Sequence, residues 1–301
     1  MISVLVFTKN EEQDLPGCLE SVSWSDDVHV FDSFSTDGTL KVAGSFGAKV
    51  QQRKFDNYAS QKNAGLRELQ FLHQWVLLLD ADERIPVPLA HEMKAFSARA
   101  PRNVSAARLR RRDFFMGRWL KHAQISPFYI RLVRPQKIHY ERPVNELVKV
   151  EGEIVDLNEP FDHFPFSKGI CHWVDKHNTY STMEAELVQA DLNRFSFRRA
   201  FFEGDFNERR FHQKGLFMKA PFRPLLKFAY MILLRRAFLD GRPGIAYAFL
   251  QSFYEYLIVL KTRELQTGNV IPRRHTLKSG QTASEHDESR TIRRISARSP
   301  G

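Results

Sequence analysis

Four segments of strand length, separated by helical patterns and turn residues, recur through the first 80 residues. Residues 2–7, 28–32 and 75–80 are apolar runs, and residues 48–52 are a further predicted strand. Strands that are apolar on both faces and alternate with helices are typical of a mainly parallel sheet with helices packed on both sides. We therefore predict an α/β fold of the nucleotide-binding type, in which ligands bind at the carboxyl ends of the strands.

Strand signals continue beyond residue 103 with less regular spacing. The segments are residues 104–110, 128–133 and 147–155, and they favour a mixed or antiparallel extension of the sheet. From residue 168 to 193 the apolar spacing becomes helical. We therefore assign residues 1–165 to one α/β domain and begin a helical region at residue 166.

The net charge of +10 is concentrated in the C-terminal third of the chain. Residues 1–197 contain nearly equal numbers of acidic and basic side chains, whereas residues 198–242 and 266–301 are strongly basic. A basic excess confined to one region indicates an anionic partner for that region, either nucleic acid or lipid headgroups. The remaining two thirds can then be an ordinary, nearly neutral domain.

Two apolar stretches lie within or beside the basic region, at residues 225–234 and 245–260. Neither reaches the roughly 20 apolar residues that a membrane-spanning helix needs. We predict amphipathic helices that lie at a membrane interface or pack on the core. The predicted helical, basic and membrane-associated region is thus 166–265, and 266–301, rich in Ser, Thr and Arg, is predicted to be a disordered tail.

The cysteine content and the first residues bear on cellular location. Cys18 and Cys171 are too few for a disulfide framework and lack the paired spacing of a zinc site, which favours a reducing compartment. The chain opens directly on a strand-length apolar run, without a basic leader or a cleavage signal. We therefore expect a cytoplasmic protein.

Two carboxylates follow the apolar run of residues 75–79. Asp80 and Asp82 are two positions apart, so in an extended chain they face the same side at the carboxyl end of a strand. Mg²⁺ and Mn²⁺ prefer such oxygen ligands and complete their shells with substrate phosphates. The alternative is an acidic turn in which Asp82 or Glu83 caps the helix after Pro86. No Walker or Rossmann glycine motif is present, so a bound diphosphate would need the cation.

Polar side chains also follow the first two predicted strands. Thr8, Asn10 and Glu11 come after the first, and Asp32 ends the second. A carboxylate accepts hydrogen bonds from a base N–H or from ribose hydroxyls. The alternative is helix capping, which suits Asp37 better than Asp32. We favour ligand binding for Glu11 and Asp32.

Taken in order, these motifs resemble glycosyltransferase family 2, whose members have the GT-A fold. The matching segments are residues 6–12, 32–39, 61–63 and 80–82. Further matches at residues 115–119, 131–133, 143–146 and 163 resemble a bacterial branch that includes lipopolysaccharide-core glucosyltransferases. The resemblance covers roughly residues 1–190. It implies a nucleotide diphosphate sugar donor, with a UDP-sugar favoured, and a divalent Mn or Mg ion.

The resemblance also implies roles for individual residues in nucleotide and metal binding. Residues expected to bind the nucleotide sugar are Thr8, Asn10, Glu11, Asp32, Lys62 and Asp80. Asp82 would bind the cation, with Asp80 assisting at the ribose or the metal. His163 would be a further metal ligand or phosphate contact.

For the acceptor, the resemblance implies a general base at Glu146. The branch usually reads Val-His-Glu where this chain has Val144, Asn145 and Glu146, so the neighbouring histidine is replaced. Glu146 would accept the acceptor proton while the hydroxyl attacks C1 of the sugar. The alternative for Glu146 is a solvated strand position.

We therefore predict an inverting, metal-dependent glycosyltransferase. Its acceptor would be a glycan or glycolipid of lipopolysaccharide, exopolysaccharide or lipid-linked type. The basic, apolar C-terminal part would place it on the anionic inner face of a bacterial membrane. Two alternatives stay open: a nucleotidyltransferase that uses the same acidic metal site, and a nucleic-acid-binding protein that stacks bases on the Phe and Arg side chains of residues 194–223. The apolar stretches at 225–234 and 245–260 count against the second alternative, so no nucleic acid is expected.

Overall fold

The computed structural model describes residues 1–141, 147–191, 198, 217 and 222–268. Among these residues, nine strands form one sheet in the order β3-β2-β1-β4-β8-β6-β11-β5, with β7 paired to β6. The strands are β1 (Ser3–Thr8), β2 (Val28–Asp32), β3 (Lys49–Gln52), β4 (Val76–Asp80), β5 (Glu83–Arg84), β6 (Val104–Phe115), β7 (Arg118–Trp119), β8 (Phe128–Val133) and β11 (Glu153–His163). A separate hairpin joins β9 (Ile138–Glu141) to β10 (Leu147–Val150).

The direction of the strands confirms the predicted mixed, mainly parallel sheet. Strands β3, β2, β1 and β4 are parallel neighbours. Strand β8 runs antiparallel to both β4 and β6, so β6 and its parallel neighbour β11 return to the common direction. The carboxyl ends of six strands therefore meet along one edge, which we call the ligand edge.

Helices cover both faces of this sheet. The helices of this part are α1 (Leu15–Ser21), α2 (Thr39–Ser45), α3 (Tyr58–Glu68) and α4 (Val87–Arg99). Alternate residues of each strand enter opposite cores, as the pleat requires. In β4, Leu77 and Leu79 pack with α1, α2 and α4, whereas Val76 and Leu78 pack with α3 and the β9–β10 hairpin. Strands β1, β2 and β4 are thus buried on both faces, as the sequence predicts, whereas the edge strand β3 is mostly exposed.

Two predicted elements differ from the structure. The segment 147–155 was expected as one strand, but it divides into β10 and β11 at Gly152. Gly152 has φ +125°, and a Cβ there would lie 2.4 Å from Ser105 Oγ, so a turn that only glycine fits breaks the strand. The helical pattern from Tyr58 to Leu72 ends early, at Glu68, because Leu72 N–H donates to Asp27 Oδ2 (2.8 Å) at the opposite edge of the sheet.

The helical region contains α5 (Gly169–Asp191), α6 (Arg223–Ala229) and α7 (Gly241–Thr267). A π-helical turn (Tyr230–Leu234) and a 3-10 turn (Ala237–Asp240) connect α6 to α7. Helix α7 packs on α5 through Ala185, Val188 and Ile258. No helix of the described part of the chain is both long and apolar enough to cross a membrane. The division of the chain at residue 165 stays a prediction, and the tail beyond residue 268 lies outside the described residues.

Candidate active site

Strand register brings the predicted polar residues to the ligand edge. Thr8 is the partner of Asp32 across β1 and β2, and Phe7 is the partner of Asp80 across β1 and β4. Three neighbouring strands therefore end side by side in Thr8, Asp32 and Asp80. This placement confirms that the parallel arrangement read from the sequence gathers these side chains at one edge.

Asp32 is fully buried and its carboxylate is saturated with internal hydrogen bonds. It accepts from Thr8 Oγ1 (2.8 Å), Gln52 Nε2 (2.9 Å), and both the amide (2.8 Å) and the hydroxyl (2.5 Å) of Ser35. These donors outweigh the opposing effect of burial and lower the pKa of Asp32. In this structure Asp32 fixes the turn after β2, and its contact with a nucleoside stays a prediction.

The loop after β1 is held by the segment that precedes α5. Glu11 Oε1 lies 2.8 Å from Lys168 Nζ, and Lys168 also donates to the carbonyl oxygen of Asn10 (2.9 Å). Burial raises the pKa of Glu11 to about 7, because it outweighs the nearby Lys168 charge. Asn10 has a left-handed backbone (φ 56°), and its side-chain oxygen accepts from Thr36 N–H (2.8 Å). This loop therefore joins the turn after β2 to the helical region.

Asp80 belongs to an ion-pair cluster with Arg131 and Glu83, for which the sequence predicts no ligand-binding role. Arg131 Nη2, on β8, lies 2.9 Å from Asp80 Oδ2 and also contacts the buried carboxylate of Glu83. Glu83 Oε2 in turn accepts the Asp80 N–H (3.0 Å). Desolvation by the surrounding protein acts to raise the pKa of Asp80. The positive charges of Arg131 and Lys62 have the larger effect, so the pKa of Asp80 is lowered. Burial raises the pKa of Glu83 to about 7 despite Arg131.

Asp82 faces His163 across the ligand edge. His163 Nε2 lies 3.2 Å from Asp82 Oδ2, and His163 Nδ1 lies 2.5 Å from Oδ1 of the buried Asp113. Backbone pairing sets this contact, since Phe164 N–H donates to the Asp82 carbonyl (2.9 Å) and β5 pairs with the end of β11. Burial acts to lower the pKa of His163. Hydrogen bonds to Asp113 and Asp82 have the larger effect and raise the pKa of His163 to about 9.

This arrangement fits a divalent cation held by two protein ligands. In the described residues no three His, Cys, Asp or Glu side chains converge as a metal site. Asp82 and His163 offer one oxygen and one nitrogen, while Asp113 would keep the Nδ1 proton and leave Nε2 for the cation. Mg²⁺ and Mn²⁺ bind through one or two protein ligands when substrate phosphates and water complete the shell. Asp80, also predicted as a metal ligand, is paired with Arg131, and its role at the metal stays a prediction.

Two other predicted residues have different outcomes. Lys62, on α3, lies with its Nζ 5.2 Å from the ring centroid of Tyr140 and contributes to the low pKa of Asp80 at the ligand edge. Its predicted contact with base or phosphate stays a prediction. Glu146 lies outside the described residues, as do Val144 and Asn145.

The sequence predicts no role at the site for Glu83, Asp113 or Arg131, although residues 131–133 are among the segments that resemble the family. The sequence offers Glu83 as a helix cap, but α4 begins without a side-chain cap and Glu83 instead starts strand β5. Arg131 stands between the apolar residues Ile130 and Leu132, and a charge inside an apolar strand was a signal for a buried partner. Asp113 follows three arginines in β6, and only the pairing of β6 with β11 reveals its partner, His163.

Comparison with known proteins gives a family and several relatives. The model of the family described as glycosyl transferase family 2 matches residues 3–152. An uncharacterized glycosyltransferase of Rickettsia typhi is 28% identical over 286 residues, which are 90% of each chain. A lipopolysaccharide core biosynthesis glycosyltransferase, LpsC of Rhizobium meliloti, is 27% identical over 195 residues, 62% of this chain and 70% of the relative. Among solved structures, TarS of S. aureus is 16% identical with a TM-score of 0.39, covering 89% of this chain and 91% of that one.

Proposed function

This chain belongs to glycosyl transferase family 2, and we propose that it transfers a sugar from a nucleotide diphosphate donor to an acceptor hydroxyl, with inversion and with the help of Mn²⁺ or Mg²⁺. Glycosyltransferase activity follows from the family and from relatives that carry that name. The family assignment replaces the nucleotidyltransferase alternative. The donor, the metal and the stereochemistry are the proposed part.

The pairing of Asp82 with His163 is the observation that carries the proposal. Both side chains lie at the ligand edge, and the buried Asp113 carboxylate fixes the orientation of the imidazole. A divalent cation at this position would neutralise negative charge on the leaving diphosphate. Asp82 and His163 would hold it, and the diphosphate oxygens would supply further ligands.

The Asp80–Arg131–Glu83 cluster at the end of β4 would bind the donor beside the cation. Arg131 is buried between the two carboxylates and keeps Asp80 ionised, so Asp80 presents a fixed acceptor toward the ligand edge. The Asp80 side chain is 48% exposed, which leaves it accessible to a ligand hydroxyl. We assign Asp80 to a ribose hydroxyl of the donor, beside Thr8, Glu11 and Lys62.

Glu146 is proposed as the general base. The acceptor oxygen forms a bond to C1 of the sugar while the bond from C1 to the diphosphate oxygen breaks, and the acceptor proton passes to the Glu146 carboxylate. Attack from the face opposite the leaving group inverts the configuration at C1. Asn145 beside it cannot exchange a proton near neutral pH, so Glu146 would act without the histidine that the family branch usually has.

The proposed acceptor is a lipid-linked or lipopolysaccharide-type glycan at the inner face of a bacterial membrane. One relative is named for lipopolysaccharide core biosynthesis. The basic composition of residues 198–242 suits an anionic membrane surface, which would hold such an acceptor. A UDP-sugar is the favoured donor.

The test combines ligand binding with turnover. Nucleotide sugars are screened by thermal shift with Mn²⁺ and with a chelator, and transfer to a glycan acceptor or donor hydrolysis is then measured. A true donor at 100 times its Kd stabilises the protein by about 2.7 kcal/mol, and we expect this shift for one donor and only with Mn²⁺. Glu146→Gln should keep the shift and lose turnover by about 10²–10⁴-fold.

The matched control for Glu146 is Glu151→Gln. Glu151 lies five residues away, is 78% exposed, and pairs only loosely with Lys137 (3.4 Å), so turnover should be unchanged. A Glu146→Gln effect confined to KM would assign Glu146 to substrate binding instead. A donor shift of the same size in the chelator would contradict the metal site.

A further inference from the structure

Helix α7 carries two apolar stripes; among the described residues one stripe is buried and the other stays exposed. The buried stripe faces α5 and the β6–β7 hairpin. The second stripe is exposed and repeats at helical spacing; its residues are Ile245, Phe249, Phe253, Tyr256 and Leu260. Over these positions the stripe is about 22 Å long at 1.5 Å per residue. A helix that is apolar on both sides is normally buried on both sides.

Helix α6 and the turns after it extend this exposed surface. Phe228 of α6 packs against Phe249 of α7, with ring centroids 4.5 Å apart and the rings tilted by 38°, so α6 borders the exposed stripe. Large apolar side chains that stay exposed continue through the π-helical and 3-10 turns; they are Leu225, Leu226, Tyr230, Leu233, Leu234, Phe238 and Leu239. Leu233 and Leu234 are 69% and 75% exposed. We call all these exposed residues of α6, α7 and their connection the apolar shoulder.

The exposed charges on the apolar shoulder are basic. From residue 222 to 260 the sequence contains five basic residues and two acidic ones, Asp240 and Glu255. Glu255 pairs with the buried Arg223. Asp240 is buried and accepts the backbone N–H groups of His122 and Ala123 (2.8 and 2.7 Å), so it does not offset surface charge. Arg236 and Arg242 are exposed next to the apolar residues. Cations beside exposed leucine and phenylalanine are typical of surfaces that meet anionic lipid.

The same charges disfavour a second copy of this chain as the occupant. A two-fold interface places a patch against itself, so the exposed Arg236 and Arg242 of the two copies would meet, while Asp240 is buried and Glu255 is already paired with Arg223. An anionic membrane supplies both an apolar layer and the missing negative charge.

The apolar shoulder is also fixed in position relative to the ligand edge. Tyr247 of α7 packs in one cluster with Phe115 and Leu120, close enough to Asp113 that burial and this carboxylate together raise its pKa. Arg118 donates to the carbonyl oxygen of Leu239 (3.1 Å). Gly244 has no room for a side chain, since a Cβ would lie 2.1 Å from the Ala237 carbonyl oxygen, so the α6–α7 corner is tightly closed. The shoulder is therefore packed directly on the β6–β7 hairpin, and β6 carries Asp113.

We propose that the apolar shoulder is the membrane-docking surface of this enzyme, with Leu233, Leu234 and Phe238 entering the interface of an anionic bilayer and Arg236 and Arg242 contacting lipid phosphates. Only the purpose of docking rests on the proposed function: docking would bring the ligand edge to an acceptor held at the membrane. Binding to lipid needs neither donor nor turnover.

The test is vesicle flotation of the full chain. Vesicles contain either phosphatidylcholine alone or equal parts of phosphatidylcholine and phosphatidylglycerol. We expect binding to the mixed vesicles and little binding to the neutral ones. Leu234→Glu should weaken binding at least about tenfold, because one leucine no longer enters the interface. Arg236→Glu removes one positive charge and should weaken vesicle binding at least about fivefold. Added salt should weaken the binding of the wild type.

Matched controls lie on α4, away from the shoulder. Val87 is 67% exposed, so Val87→Glu makes the same kind of change as Leu234→Glu, and Arg99→Glu matches Arg236→Glu. Both controls should float like the wild type. Turnover with a water-soluble acceptor should be the same for Leu234→Glu and the wild type, which separates failure of docking from failure of catalysis.

Three outcomes would overturn the proposal. The first is a wild-type chain that does not float with anionic vesicles. The second is Leu234→Glu binding as tightly as Val87→Glu. The third is a wild-type chain that is dimeric and does not bind vesicles, together with a Leu234→Glu variant that is monomeric. This result would show that the shoulder contacts a second copy of the chain. If the wild type does not float and Leu234→Glu has a lower melting temperature, the apolar shoulder is covered by other residues of the same chain.

Discussion

Two aspartate–histidine pairs lie at opposite ends of the parallel strands, and they differ in what surrounds the carboxylate. Asp27 and His29 meet at the amino end of β2, with Oδ1 and Nε2 2.9 Å apart. Asp82 and His163 meet at the carboxyl ends of β4 and β11, with Oδ2 and Nε2 3.2 Å apart. The residue types and distances are nearly the same, so composition alone cannot distinguish a structural pair from a functional one.

Hydrogen-bond satisfaction separates the two pairs. The Asp27 side chain is fully buried and accepts from Ser3 Oγ (2.5 Å), Lys49 Nζ (2.7 Å) and Leu72 N–H (2.8 Å) in addition to His29. The Asp82 side chain is 30% exposed, and His163 is its partner in the described structure. Asp27 therefore ties strands and loops together, whereas Asp82 keeps acceptor capacity for a ligand.

The largest expected effect comes from removing the exposed carboxylate. Asp82→Ala should lower metal-dependent turnover by roughly 10³-fold, because several kcal/mol of charge stabilisation on the leaving diphosphate are lost. Its melting temperature without metal should stay near that of the wild type, since the side chain is partly exposed. Calorimetry and a turnover assay at several Mn²⁺ concentrations measure both. Retained turnover at saturating Mn²⁺ would remove Asp82 from the metal site.

A smaller effect is expected from the buried carboxylate behind His163. Asp113→Asn keeps the shape of the side chain but removes the charge that holds Nδ1 of His163. We expect Mn²⁺ affinity, measured by titration calorimetry on the donor-free protein, to fall about 10–100-fold. The matched control is Asp162→Asn, which breaks a comparable pair with Arg112 (2.6 Å) one residue before His163. Equal Mn²⁺ affinity in the two variants would reduce Asp113 to a packing role.

The sequence was sufficient to predict β1, β2 and β4 and the position of Asp80 and Asp82 at the ligand edge. Each of these three strands is an apolar run that is followed by polar residues, so both the element and its polar end can be read locally. His163 was also singled out, but only from the family resemblance. Its contact with Asp82 depends on the pairing of β5 with β11, two segments about 80 residues apart in the chain.

The partners of these residues could not be read locally. Asp113 lies 50 residues from His163, and Arg131 lies 51 residues from Asp80. Such pairs can be predicted only when the strand order β4-β8-β6-β11 is known. In that order, neighbouring strands are not consecutive in the chain. Gly152 shows the same limit, because its turn is required by contact with Asn103 and Ser105 of a distant segment. Local patterns thus predicted elements, while nonlocal pairing decided which charges are buried together.

The smallest effect on turnover is expected at the buried structural pair. Asp27→Asn removes the ion pair with Lys49 and weakens several hydrogen bonds to a buried carboxylate. We expect a loss of about 1–3 kcal/mol in the free energy of unfolding at pH 7, with kcat and KM nearly unchanged. Asp26→Asn, which breaks the exposed pair with His73 (2.6 Å), is the matched control and should leave the melting temperature unchanged.

The pH dependence of this loss follows from the sign of the pKa shift. Burial opposes the charge on Asp27, but hydrogen bonds from Lys49, Ser3 and Leu72 outweigh it and hold the pKa well below its usual range. The charged form is therefore favoured by folding, so its contribution is complete above the unfolded pKa of about 3.9 and is lost as the pH falls toward the lower folded value. Urea unfolding of wild type and Asp27→Asn should differ most near pH 7, and the difference should shrink below about pH 4. A difference that stays constant down to pH 2 would mean that Asp27 acts through packing rather than through its charge, and the contrast with Asp82 would then rest on exposure alone.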